Sequence, residues 1–157
     1  MTLATRSERD HPNARRARKI RWFVGGFYLT MAGINAGLVL ADPHSYQHFA
    51  DGAYLDFVTE QWNVIVMANP ALWGLLLAAG EILLGVLLLS GGQAARVGWV
   101  GVIVFHVLLM MFGPGTWLWC IPALVVLVLA ARADWPQLAG HSKRPAATEW
   151  VSASGHY

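Results

Sequence analysis

Residues 71–89 read ALWGLLLAAGEILLGVLLL, an apolar run broken by one charged side chain, Glu81, near its middle. A helix needs about 20 mostly apolar residues to cross a lipid bilayer. This run meets that requirement, and three others resemble it. The first block covers 20–41, the third 97–112 and the fourth 117–131. The last two are short. Gly113–Thr116 between them reads as a tight turn, so each is expected to extend a little into the interface. The 157 residues are 56% hydrophobic and 13% charged, whereas soluble domains average about 25% charged. The expected fold is an all-α membrane protein, a four-transmembrane-helix bundle.

Charge fixes the expected orientation. Seven of the eleven Lys and Arg residues precede the first block's interior: Arg6, Arg9, Arg15, Arg16, Arg18, Lys19 and Arg21. The other four are Arg96, Arg132, Lys143 and Arg144. All eleven fall on one side of a membrane crossed four times, and loops rich in Lys and Arg stay in the cytoplasm. Residues 1–19 are therefore expected to form a basic, mobile cytoplasmic tail, and 133–157 a polar cytoplasmic tail. Between them, 20–132 is the membrane domain. The first block is too long for a signal-peptide core, so it is read as a retained helix. Trp22, Trp99 and Trp135 are expected at the cytoplasmic interface, with Trp73, Phe112, Trp117 and Trp119 at the external one. The basic cluster lacks the interleaved aromatic residues that stack nucleic-acid bases, so nucleic acid is not an expected partner. The single cysteine, Cys120, excludes an intramolecular disulfide or a CxxC relay.

The external segment, 42–70, holds Asp42, Asp51, Asp56 and Glu60 and no Lys or Arg. From Ala53 to Met67, Tyr54, Phe57, Val58, Trp62, Ile65 and Val66 recur at helical spacing, with Asp56, Glu60 and Asn63 on the other face. This predicts an external amphipathic helix between helices one and two. Helices that cling to lipid usually carry Lys or Arg on the polar face. An acidic one is expected to pack on the bundle or on a protein partner, through residues such as Asp56, Glu60 and Trp62.

Glu81 is the leading candidate for chemistry. A carboxyl at mid-membrane costs a few kcal/mol on insertion scales, so such residues face the bundle interior and mark functional sites. Gly74, Ala78 and Gly85 share its face and permit close helix approach. Glu81 either locks two helices by a hydrogen bond or serves as a proton or ligand site. His106, in the outer half of the third block, lies at a depth within roughly 6 Å of Glu81 at the helical rise. The two side chains are placed to meet directly or through water, although a lone histidine more often serves packing. On helix one, Gly26, Thr30, Gly33 and Gly37 form one seam, and Tyr28 and Asn35 lie on the opposite face. One face is expected to pack within the bundle. The other meets a second subunit, at Gly33 and Gly37, or lines a cavity with Glu81. Tyr28, Asn35, Glu81 and His106 thus outline a quinone or lipid cavity. His44 and His48, four apart, form a weak metal-binding pattern that depends on a helix there. No P-loop, dinucleotide-binding glycine pattern or haem-spaced histidine pair is present, and no cofactor is evident from a motif.

The stretches GGFYLTMAGINAGL at 25–38, ADGAYLDF at 50–57 and ALWGLLLAAGEILLGVLLLSG at 71–91 resemble the DoxX-like family of small four-helix bacterial membrane proteins. Glu81, Gly85 and Gly91-Gly92 match the family's glutamate, glycine and cytoplasmic turn. The resemblance spans about residues 20–132. It implies a four-helix bundle and a link to quinone-associated redox complexes, since some relatives are subunits of thiosulfate:quinone oxidoreductase and others associate with oxidative-stress proteins. Three functions follow as expectations. The first is a non-catalytic accessory or anchor subunit of a redox or respiratory membrane complex, with other subunits and membrane lipids as partners. The second is a quinone-reactive module using Glu81 for proton transfer. The third is a subunit of a small proton-coupled transporter.

Overall fold

The computed structural model describes residues 12–139. Four helices are long and apolar enough to cross a membrane, and the chain is an all-α, four-helix membrane bundle. The order is α1 (Pro12–Ala41), a short α2 (Asp56–Gln61) continuing into a π-helical turn at Trp62–Val66, α3 (Pro70–Ser90), α4 (Gly92–Leu109) and α5 (Pro114–Ala139). α1 packs against α3 and α5, and α4 against the same two, so α1 and α4 face each other across the bundle.

Local chemistry sets the boundaries. Pro70 occupies the first position of α3, and the Asn69 side chain accepts from Leu72 N at 3.4 Å. Proline suits that position because its missing N–H would have no helical partner there. Gly91 and Gly92 have φ of 75° and 56° and turn α3 into α4 within two residues, a conformation that side chains with a Cβ resist. At the opposite end α4 tightens into a 3-10 turn at Met110–Phe112, and Gly113, with φ of 101°, starts α5. A Cβ on Gly113 would collide with the Gly52 carbonyl. The α4–α5 turn thereby holds the 42–54 connection against the bundle.

One end of the bundle, the basic end, holds the start of α1, the α3–α4 turn and the last turns of α5. It is solidly packed: Val24, Tyr28, Leu88, Trp99, Val102, Leu127 and Leu138 form its core. The opposite, capped end is covered by the 42–69 connection and is hollow.

Several expectations change here. The basic tail expected over 1–19 is helical from Pro12, and residues 1–11 lie outside the described range. The fourth span does not stop at 131 but continues to Ala139. Of the polar tail expected over 133–157, only 140–157 falls outside the described residues. The reason for the extension is Asp134. It is 1% exposed, its Oδ2 accepts from Trp99 Nε1 at 3.0 Å, and Arg21 lies 3.4 Å away. Trp99 is therefore fully buried rather than at a lipid interface. Trp135, by contrast, is partly exposed, with the Arg96 guanidinium 5.0 Å over its ring.

The amphipathic helix forms at 56–66 as expected, but its apolar residues divide. Val58, Trp62 and Val66 turn inward, while Phe57 is 65% exposed and Tyr54, Val64 and Ile65 also face outward.

Candidate functional site

A cavity of about 530 Å³ lies under the cap, within the size range of small-molecule sites. α1 contributes Phe27, Tyr28, Met31 and Asn35; α3 contributes Trp73, Gly74, Leu77 and Glu81; α4 contributes Phe105, His106 and Leu109. Tyr46, Phe49, Trp62 and Val66 roof it, and Phe112, Thr116 and Trp119 close the remaining side. The wall is almost wholly apolar, with its polar atoms concentrated in two groups.

The first group joins the cap to mid-membrane. The Asn35 amide nitrogen donates to both Glu81 oxygens, at 2.8 and 2.7 Å, and Tyr46 OH donates to Asn35 Oδ1 at 2.5 Å. Close packing of α1 on α3 sets this geometry. A Cβ on Gly74 would run into Val39, and one on Gly85 would lie 2.9 Å from the Gly25 carbonyl oxygen. The small residues on the Glu81 face thus do what the sequence led us to expect of them. Burial, and then the Glu81 carboxyl, hold the Tyr46 phenol above the ordinary tyrosine range.

The second group spans the α1–α4 diagonal. His106 Nδ1 lies 2.9 Å from the Val102 carbonyl and 3.1 Å from Tyr28 OH. The rings of Phe105 and Trp119 pack around the imidazole, the latter with centroids 5.2 Å apart.

The cap is held by side chains as well as turns. From Asp42 to Ala53 it runs as successive i→i+3 turns. Trp62 Nε1 donates to the Tyr46 carbonyl at 3.1 Å, and Thr59 Oγ1 to the Ala50 carbonyl at 2.8 Å. Phe49, Trp62 and Phe112 form an aromatic cluster, with Phe49 and Phe112 centroids 4.7 Å apart. The π-helical turn begins at Trp62 and closes with Met67 N on the Trp62 carbonyl at 3.0 Å. Such turns are often found at functional sites.

The four residues read as a cavity set, Tyr28, Asn35, Glu81 and His106, do share one cavity. Glu81 and His106 do not pair with each other, as their depths had suggested. Each has a partner on α1 instead, Asn35 and Tyr28. Trp62, expected at a partner interface, faces the cavity. Asp56 and Glu60 are exposed on the outer face of α2. Gly33 and Gly37 lie on an outward face where an added Cβ would meet nothing within 4 Å. His44 and His48 are on turns, not a helix, so their i,i+4 warrant for a metal disappears. His48 instead sits 2.8 Å from Asp51 on an exposed surface, and among the described residues no three His, Cys, Asp or Glu side chains converge on a metal position.

Sequence reading missed Tyr46 and Phe49, the roof residues. Their segment lacks helical or strand periodicity, and only tertiary contact brings them over Glu81. It also missed the Arg21–Asp134 pair. The signal available was one acid just past the fourth apolar block and one Arg just inside the first.

No family model, curated protein or solved structure matches this chain, so the likeness to the DoxX-like family remains an expectation.

Proposed function

We propose that this chain is a membrane subunit that holds a quinone-class ligand for a larger redox complex. The observation that carries the reading is the hollow half of the bundle, whose aromatic wall is interrupted by a buried carboxyl, an amide, a phenol and an imidazole. An apolar ring with oxygen substituents needs such a slot, and ligand pockets generally combine an apolar lining with a few placed polar groups. Glu81 is the group suited to carry the proton that accompanies a change in the ligand's oxidation state. Electrons would be exchanged with a partner protein of the complex. The unfilled glycine face of α1 (Gly26, Gly33 and Gly37) supports a partner helix in the membrane, and the exposed acids Asp56 and Glu60 support contact with a partner outside it. The charge distribution supports an orientation with both termini cytoplasmic, and the resemblance to bacterial membrane proteins supports a bacterial inner-membrane location.

The test uses the full chain in lipid nanodiscs. Trp62, Trp73 and Trp119 line the cavity, so a short-chain benzoquinone bound there quenches their fluorescence. Saturable quenching, weakened at least several-fold by the cavity-filling change Leu77→Trp relative to that variant's own unquenched signal, supports the reading. Quenching that rises linearly with quinone, as simple partitioning into lipid gives, contradicts it.

A further inference from the structure

His106 specifies more than a hydrophobic ring. Its Nδ1 lies 2.9 Å from the Val102 carbonyl oxygen. A carbonyl can only accept, so the contact is a hydrogen bond only if Nδ1 carries the proton. In the neutral ring Nε2 is then an acceptor with a free lone pair. Among the described residues Nε2 has no hydrogen-bond partner, and His106 is part of the cavity wall. The Tyr28 oxygen, 3.1 Å from Nδ1, shares the same N–H as an acceptor, which leaves the phenol hydrogen available to the cavity.

The demands on a ligand differ between the two oxidation states of a quinone. A quinone carbonyl can take the Tyr28 hydrogen or one from Glu81, but it has nothing to donate to Nε2. A quinol hydroxyl can donate there and still accept elsewhere. A quinone therefore leaves a buried acceptor without a partner, and a quinol does not. Buried unsatisfied polar groups discriminate strongly against the ligand that fails to pair them.

We infer that the cavity selects the hydroxylated, reduced form of its ligand, an aromatic diol with an apolar body, through a hydrogen bond donated to His106 Nε2. The inference rests on the reading of the cavity as a quinone-class site and adds a preference to it: the quinol is the form held more tightly, and the quinone the form held less tightly.

Binding of three probes to the full chain in nanodiscs, under anaerobic conditions, tests it. The probes are a short-chain benzoquinone, its quinol and the dimethyl ether of that quinol. The quinol is expected to bind about tenfold more tightly than the quinone, the ratio that corresponds to one buried acceptor left unpaired. The ether, which has the quinol's shape but no donor, should bind no better than the quinone. His106→Phe should bring quinol and quinone to within about twofold of each other, a readout that loss of packing alone would not produce. If that variant does not fold, the ether series on the unaltered chain still decides. Quinone binding as tight as quinol, or tighter, overturns the inference while leaving the cavity reading intact. Failure of all three probes to bind saturably overturns both.

Discussion

Asp134 and Glu81 are both buried carboxyls, but they sit in different surroundings. Asp134 receives Trp99 Nε1 and faces Arg21 at the packed, basic end. Removing one partner of a buried ion pair leaves the other uncompensated, at a cost of about 3–5 kcal/mol. Asp134→Ala is therefore expected to destabilise the bundle by about that much in thermal or denaturant unfolding in detergent. Arg21→Met added to it should recover most of the loss; no recovery would show that Asp134 acts without Arg21. Glu81 stands in the cavity wall with Asn35 as its partner. Glu81→Leu leaves the Asn35 amide facing an apolar group and should cost about 1–3 kcal/mol, whereas Glu81→Gln keeps an acceptor and should cost less. Equal losses for the two would remove the hydrogen bond from the account. Glu81 was conspicuous in the sequence because it is charged within an apolar run. Asp134 was not, because it follows the fourth apolar block and reads as part of the polar tail.

The cap and the α1–α3 pair carry the element-scale predictions. Gly25 and Gly85 face each other where α1 and α3 cross, and a Cβ on either meets backbone or Leu side chains at 2.8–3.2 Å. Gly85→Ala should destabilise by about 1–3 kcal/mol, as overpacking does, while Gly37→Ala, with open space around it, should leave the isolated bundle unchanged. A marked loss of stability for Gly37→Ala would place that glycine inside the packing. The cap is latched by Tyr46, which donates to Asn35 and accepts from Trp62 through its carbonyl. Because the Tyr46 phenol is held above its ordinary value, the closed cap keeps its proton where an open one loses it. The latch is therefore at full strength below about pH 10, the usual tyrosine value, and weakens as pH rises past it. Subtilisin cleavage within the 43–53 turns should accelerate above that pH in the unaltered chain. Tyr46→Phe should cleave faster at all pH values and show a flatter alkaline rise; an unchanged pH profile would take Tyr46 out of the latch. Helical spacing revealed α2 well before its contacts were known. It did not reveal which apolar residues point inward, because α2 and the π-helical turn after it partly bury one strip, Val58, Trp62 and Val66, and leave Phe57 and Ile65 outside.

Across the whole molecule, one half is packed and the other hollow. Large side chains fill the basic end, Trp99 and Leu88 among them, with no exposed surface. At the capped end aromatic side chains ring a space that they do not fill. Span number and the helical fold were legible because lipid demands long apolar helices with internally satisfied backbones. The cavity was legible only as four separate residues, since its volume depends on how four helices and a cap converge. On the proposed function, this volume holds a stoichiometric apolar ligand. Native mass spectrometry of the full chain, released from nanodiscs after equilibration with the quinone and quinol forms, tests it most directly. One bound ligand per chain is expected, lost in Leu77→Trp and weakened in Glu81→Leu. An unliganded mass for the unaltered chain, or the same adduct on the cavity-filled variant, would contradict it.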